Sequence, residues 1–567
     1  MKEYLPILSW IKDYNRSYFT DDVIAGITVG VMLVPQGMAY AMLAGLPPIY
    51  GLYASTIPLI IYALLGTSRQ LAVGPVAVVS LLVASGVGAI SEMGTTQFIN
   101  YAILLALMVG VIQLLMGVLR LGFLVNLISH PVIAGFISAA ALIIGFSQLK
   151  HLLGLDIARG KIHETIIAVI ENFSQINIPT LIIGITSVVL ILFLKKVNRK
   201  IPTPLIVVFL GLCIVYLFRL DTVGVQIIRD VPAGLPTLSM PTITVDAMRE
   251  LLPIAITISL ISYVESYAIA KSIQSKHKNY DIEPNQELIG LGMANLVGSF
   301  FSAFPVTGGF SRTAVNVQAG AKSGIAAIVS ATLVMLTLLF LTSYFYYLPN
   351  AVLAAIIIVA VIGLVDIKEA KHLWSADKHD FFAFLVTFLA TIFISIETGI
   401  LVGVVVSILL MIYRLAYPHI AELGQIPESD TYRNLARFDE LDTTNDAMIL
   451  RFDAPLFFAN CNSFRDAVLN KIKQRSELKR LIIDGSGIHH VDTSAINILI
   501  EVFEKLKQQN ILLQFADIKG PVRDLFHKNG LVKIIGEDNF FLNVSDAMHA
   551  QENDLDPNIY KYLFQNN

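Results

Sequence analysis

Long apolar stretches broken by a few polar residues dominate the chain as far as residue 417, and beyond it short apolar runs alternate with charged ones. A bilayer core of about 30 Å takes roughly 20 apolar residues of helix. Runs at 97–119, 129–149, 176–194, 203–218, 323–347 and 381–417 meet that length outright, the last with room for two spans and a turn at Glu397-Thr398-Gly399. Shorter runs interrupted by Gly and Pro bring the expected count to fourteen: 23–45, 50–66, 75–90, 97–119, 129–149, 176–194, 203–219, 252–272, 287–303, 311–320, 323–347, 350–364, 381–396 and 398–417. The pattern predicts a polytopic α-helical membrane protein.

Composition agrees. The 567 residues are 55% hydrophobic and 15% charged, with a mean hydropathy of +0.68, which excludes an ordinary soluble enzyme. Charge is uneven: Asp430 to Asn567 holds 20 acidic and 16 basic residues in 138, and the first 429 residues hold the other 47. The expected division is a cytoplasmic segment at 1–20, a transmembrane domain at 21–420, a small α/β domain at 430–552 and a polar tail at 553–567. The start, MKEYLPILSWIKDYNRSYFTDD, has neither the apolar core nor the small-residue cleavage site of a signal peptide. Two cysteines, Cys213 and Cys461, one in each part, predict neither a disulfide framework nor a thiolate metal site. No cofactor or metal is expected. A net charge of −3 and the lack of a basic stripe argue against a nucleic-acid partner.

Loop charge tests the span count, because Lys and Arg near span ends favour the cytoplasm. With the N-terminus inside, KKVNRK (195–200), Lys271, Lys276, Lys278, Lys368, Lys371 and Lys378 fall inside, and the 219–251 loop with its VPAGLP stretch falls outside. Both chain ends are then cytoplasmic. One loop disagrees, since Lys150, Arg159 and Lys161 come out external.

Fourteen spans divide as seven plus seven, and an odd number per half inverts one half against the other. RQLAVGPVAVVS (69–80) precedes the third segment and SAFPVTGGFSRTAV (302–315) the tenth, at corresponding places in the halves. Two short, interrupted segments in matching positions point to a transporter binding site. Irregular backbone at membrane depth survives only where protein or a wet cavity satisfies it. Pro75 and Pro305 break helical hydrogen bonding, and half-helices starting after the breaks would aim free N–H groups and positive dipole ends inward, an anion-binding arrangement. Arg312 adds a full charge, with hydroxyls from Ser311 and Thr307. An intramembrane Arg is costly and marks a functional site, although Arg312 near an interface could snorkel or pair with a carboxylate. Glu265, in LISYVESYAIAKS (260–272), has no Lys or Arg within five residues. A lone carboxylate there suits proton carriage, and a static ion pair with Arg312 is the alternative. In the first segment Gln36 and Tyr40 lie four apart on one helix face, with Pro35 and Gly37 loosening the turn. Tyr40 on its own reads more readily as packing than as a ligand.

VPQGMAYAMLAGLPPIYGLYAS (34–55) followed by GTSRQLAVGPVAVVSLL (66–82) resembles the signature of the SulP (sulfate permease) family, relatives of pendrin and prestin. The match extends through VESYAIAK, GGFSRTAVN and the C-terminal domain. The resemblance implies two seven-helix inverted repeats arranged as core and gate domains, with the anion between the N-termini of the third and tenth helices and closed by the first. It assigns anion binding to Gln36, Tyr40, Val76, Ala77, Gly309, Phe310, Ser311 and Arg312. Glu265 falls on the acidic position of proton-coupled members. It also implies homodimers and an elevator-like motion.

In the tail, 446–458, 480–488 and 511–518 read as strands, and 463–475, 494–509 and 521–531 as helices, with Asp492 or Thr493 as a cap. GSGIHH lacks the third glycine of a dinucleotide fingerprint, and adjacent His489 and His490 are poorly spaced for one metal. The tail resembles a STAS domain. HHVDTSAINIL matches its strand-to-helix loop and sets Ser494 on the serine phosphorylated in regulatory relatives, with Ala495 where those often have Gly. A cytoplasmic regulator, or a folding or dimer-supporting role, fits this domain.

The expected function is secondary transport of a small anion, sulfate first, by proton symport. The rivals are an uncoupled exchanger or channel for bicarbonate, chloride or a dicarboxylate, and a membrane-anchored signalling protein whose tail does the work.

Overall fold

The computed structural model describes residues 5–11, 14–127, 129–157, 160–197, 202–274 and 280–550. The polar tail expected at 553–567 lies outside them, as do Arg159, Lys276, Lys278 and residues 198–200. Two compact units divide between Ser407 and Ile408.

Every one of the fourteen apolar segments falls on helix. These are α1 (Arg16–Leu43), α2 (Pro48–Leu65, with a short break), α3 (Ala77–Gly88), α4 (Thr96–Val118), α5 (His130–Ser147), α6 (Ile178–Val197) and α7 (Thr203–Phe218) in the first half. The second half holds α8 (Val245–Gln274), α9 (Pro284–Ser299), α10 (Phe310–Gln318), α11 (Ile325–Phe340), α12 (Asn350–Ile362), α13 (Lys378–Phe393) and α14 (Ile396–Ala416). Among the described residues eight helices are long and apolar enough to cross a membrane. At 1.5 Å per residue α3 and α10 reach only about 18 and 14 Å, so each is a half-span.

Local chemistry sets the helix starts. Asn15 caps α1 by accepting from the Tyr18 amide at 2.9 Å, and Thr95 caps α4 by accepting from Phe98 at 3.1 Å. Prolines open α2, α5, α7 and α9, where a missing N–H costs nothing. Pro35 does not break α1, which runs unbroken past Gln36 to Leu43. The turn between α13 and α14 lies at Ile394–Ser395, ahead of the expected 397–399; the Ser395 hydroxyl accepts from the Thr398 amide at 3.1 Å and starts the next helix.

Packing within the membrane unit obeys the repeat. Moving every helix on by seven exchanges one contacting pair for another: α1 with α11 becomes α8 with α4, α1 with α10 becomes α8 with α3, and α5 with α13 becomes α12 with α6. Pairs α2 with α9 and α5 with α12 map onto themselves. So does the two-stranded ladder of β1 (Val73–Gly74) and β2 (Thr307–Gly308), which is antiparallel, as inversion demands. Among the eight helices long enough to cross a membrane α1 is the most buried, and α6 and α14 present most of their surface outward.

The second unit is a six-stranded sheet in the order β4-β3-β5-β6-β7-β8. It comprises β3 (Ile420–Gln425), β4 (Tyr432–Asn434), β5 (Ala447–Phe452), β6 (Arg480–Asp484), β7 (Leu512–Ala516) and β8 (Phe540–Phe541). β5 to β8 are parallel, and β3 pairs antiparallel with both its neighbours. Alternate residues of β5 enter opposite layers: Met448, Leu450 and Phe452 join the larger core and Ile449 the smaller. Helices α15 (Cys461–Lys473), α16 (Thr493–Gln508) and α17 (Gly520–Lys528) supply Phe464, Leu499 and Phe526 to the larger core. The sheet takes in Ile420–Gln425, ahead of the expected start at residue 430; Glu422 and Gln425 interrupt its short apolar pattern and hide it as a strand in the sequence.

Candidate functional site

The two chain breaks meet. Val73 pairs with Gly308 and Gly74 with Thr307, which brings the starts of α3 and α10 together. The Gly309 amide donates to the Ala72 carbonyl at 3.0 Å. The Ala72 amide donates to Thr313 Oγ1 at 3.0 Å, and that hydroxyl donates to the Gly309 carbonyl at 2.7 Å. Backbone that a helix break would orphan is thereby satisfied, as a buried site requires.

Val76 is the N-cap of α3 and Ala77 its first residue. Gly309 is the N-cap of α10, followed by Phe310, Ser311 and Arg312. Neither cap has a side-chain hydrogen bond, so the first N–H groups of both helices remain free of that competition. Arg312 is 2% exposed, whereas Phe310 is 61% exposed, so the site is open along α10's first residue and closed behind the guanidinium. Nη1 of Arg312 donates to the Pro75 carbonyl at 2.6 Å, and its Nε and Nη2 are buried donors without a partner.

Both flanking glycines answer to that side chain. A Cβ at Gly309 would stand 2.7 Å from Nη2 and 2.9 Å from Cζ of Arg312. Gly74, at φ +151, is in a conformation that favours glycine.

Glu265 and Tyr40 complete the group. Each interacts electrostatically with Arg312 and with the other. Glu265 and Arg312 form no ion pair within 4 Å, and Oε2 of Glu265 is buried without a hydrogen bond. Gln36 and Tyr40 are 5% and 7% exposed, one turn apart on α1, which packs on both α3 and α10. All eight residues expected to bind the anion thus lie at or beside the paired helix starts, with Glu265 on the neighbouring α8. Ser494 lies elsewhere, in the C-terminal unit. It is the second residue of α16, half-buried, beside Asp492, whose carboxylate caps the helix at the Ala495 amide (2.8 Å) and also accepts from Phe458 (2.9 Å). His489 and His490 are exposed loop residues.

The polar frame behind the site was not singled out in the sequence. Asn295 of α9 accepts from the Val306 amide at 2.8 Å and donates to the Val306 carbonyl at 3.1 Å, acting as a one-residue strand partner. Its amide also donates to Gln113 at 3.2 Å, and Gln113 donates to Ser262 at 2.7 Å. Thr307 donates to the Ser262 carbonyl at 2.7 Å, and the Gly308 amide donates to Ser266 at 2.8 Å. Buried Glu287 accepts from Tyr62 and from Thr67 Oγ1, both at 2.6 Å, holding the approach to β1. Polar residues inside apolar runs were the available signal, but their partners lie up to 225 residues away.

A pair of half-helices buried inside a bundle of inverted halves defines a membrane transporter rather than an enzyme. The chain belongs to the sulfate permease family, whose model matches residues 19–387, and a STAS domain matches 440–547. It is 41% identical over 565 residues to "Sulfate transporter 4.1, chloroplastic" of Arabidopsis thaliana, covering 96% of this chain and 82% of that one. It is 36% identical over 569 residues to high affinity sulfate transporter 2 of Stylosanthes hamata, covering 96% and 85%. The solved structure of the murine Solute Carrier 26 family member A9 anion transporter, in an inward-facing state, superposes with a TM-score of 0.89 at 31% identity, over 97% of this chain and 94% of that one.

Proposed function

We propose that this protein carries sulfate together with a proton, binding the anion between the starts of α3 and α10 and moving it by displacement of the core helices against the gate. The observation that carries the reading is the state of Arg312: two buried N–H donors without a partner, beside two helix starts whose dipoles favour negative charge. Leaving a buried charged donor unpaired is expensive, and a tetrahedral oxyanion offers acceptors on several sides at once. Glu265 supports the proton. It faces the same cation without pairing to it, so gain of a proton at Glu265 offsets one of the two charges a sulfate brings. The curated relatives named as sulfate transporters support the choice of anion.

The experiment is labelled sulfate uptake into proteoliposomes under an imposed proton gradient. Uptake should accelerate with the gradient, and Glu265→Gln should abolish the acceleration while leaving sulfate exchange. Uptake indifferent to the gradient in the unaltered protein would sink symport, and a panel of unlabelled competing anions would show which substrate fits best.

A further inference from the structure

A cavity of about 450 Å³ lies against α3 on the far side from its start. Leu81, Ala84, Ser85 and Gly88 line it, one face of α3. At 1.5 Å per residue that wall begins about 6 Å along the axis from Ala77 and ends about 16 Å from it. The cavity therefore runs from the neighbourhood of the helix start to the membrane face opposite the N-terminus, between α3 and the ends of α5 and α13.

Its electrostatics oppose an anion at first sight. Three helices, α3, α5 and α13, turn their carboxyl ends towards it, each carrying roughly half a negative charge, while two helix starts of opposite sign, those of α14 and of the short helix Ile162–Glu171, offset only part of it. Glu164 is also in the wall, accepting from the Lys161 amide at 2.8 Å. Against this stand Lys150 and Lys161. Lys161 Nζ donates at 3.2 Å to the carbonyl of Phe393, the last residue of α13, so the cation sits on one of those negative ends. These are the lysines that the loop-charge rule assigns to the wrong face.

We propose that Lys150 and Lys161 are anion-admitting residues: they cancel the helix-end charge at the mouth of this cavity and let a small anion enter towards α3. The proposal rests on the anion-transport reading for its cargo, but the charge of the mouth can be read without transport.

The first test is initial-rate uptake from that face at low ionic strength, comparing the unaltered protein with Lys150→Gln/Lys161→Gln. Because the energy of an ion in a fixed potential scales with its charge, the rise in KM should be about threefold for a monovalent anion such as nitrate and about tenfold for sulfate, with kcat retained. At roughly 1 M ionic strength, where the screening length is about 3 Å, the difference should vanish. Lys150→Arg/Lys161→Arg should keep the original KM. A KM that does not change, changes equally for both anions, or stays raised at high ionic strength would overturn the proposal.

The second test is independent of cargo. With Cys213→Ser and Cys461→Ser as background, Lys161→Cys is labelled by anionic and by cationic methanethiosulfonate reagents. Adding Lys150→Gln should lower the anionic-to-cationic rate ratio at least threefold, and an unchanged ratio overturns the proposal. If the ratio falls while the unaltered protein carries no sulfate, the charged mouth stands and the transport reading fails.

Discussion

Nη1 of Arg312 donates to the carbonyl of Pro75 at 2.6 Å, so a charge carried by the second half of the molecule is held by the backbone of the first. That single bond fixes where the cation stands relative to both helix starts.

Lysine at this position keeps the charge and loses the fork. Arg312→Lys cannot hold Pro75 and also present two further donors in one plane. Charge-assisted hydrogen bonds are each worth about 1.5–3 kcal/mol, so sulfate affinity should weaken roughly tenfold to a hundredfold. Equilibrium binding to the purified protein measures it, and an unchanged Kd would move the site elsewhere.

Gly309→Ala tests the same geometry from the other side. The new methyl would stand 2.7 Å from Nη2, so the guanidinium must move. Transport should fall at least tenfold with little change in thermal stability. Combined with Arg312→Ala it should cost nothing more, since the two changes act on one side chain.

Asn295→Leu removes the partner of both polar groups of the Val306 peptide. Buried unpaired groups cost about 1–3 kcal/mol each, which should appear as a lower midpoint of thermal unfolding in detergent.

In the C-terminal unit Asp453 gives a pH prediction. Burial pushes its carboxyl up, but hydrogen bonds from Arg451 (2.6 and 3.2 Å) and His419 (3.0 Å), with their charges, outweigh burial and hold it below its ordinary value. A carboxyl depressed in the folded state stabilises fully above its unfolded pKa of about 4 and loses that contribution as pH falls through the folded value. Hydrogen exchange of the full chain should show protection at residues 447–453 constant from pH 7 to 5 and falling below 4. Asp453→Asn should flatten that fall.

Much of this was legible in the sequence because spans of a bilayer are predominantly apolar, and each of the fourteen runs became helix. The breaks at Gly74-Pro75 and Pro305 to Gly309 stood out for the same reason. What the pattern could not convey was pairing. Asn295 and Gln113 read as isolated polar residues in apolar runs, since their partners are brought close only by the bundle. Pro35 and Gly37 read as loosening the turn at Gln36, and α1 stays helical through both. Strand β3 was passed over because Glu422, one of its residues, is paired with Lys471 and Arg475 rather than solvated.

The matched helix starts also define a position that the halves do not share. Counting from the caps Val76 and Gly309, the third helical residue is Val79 in α3 and Arg312 in α10. Val79 is fully buried. A duplicated scaffold thus offers two equivalent seats and fills one of them with a charge. The charge at the proposed site is therefore lopsided inside a symmetric frame. Exchanging the pair, Val79→Arg with Arg312→Val, would transfer the cation to the half related to it by the two-fold inversion.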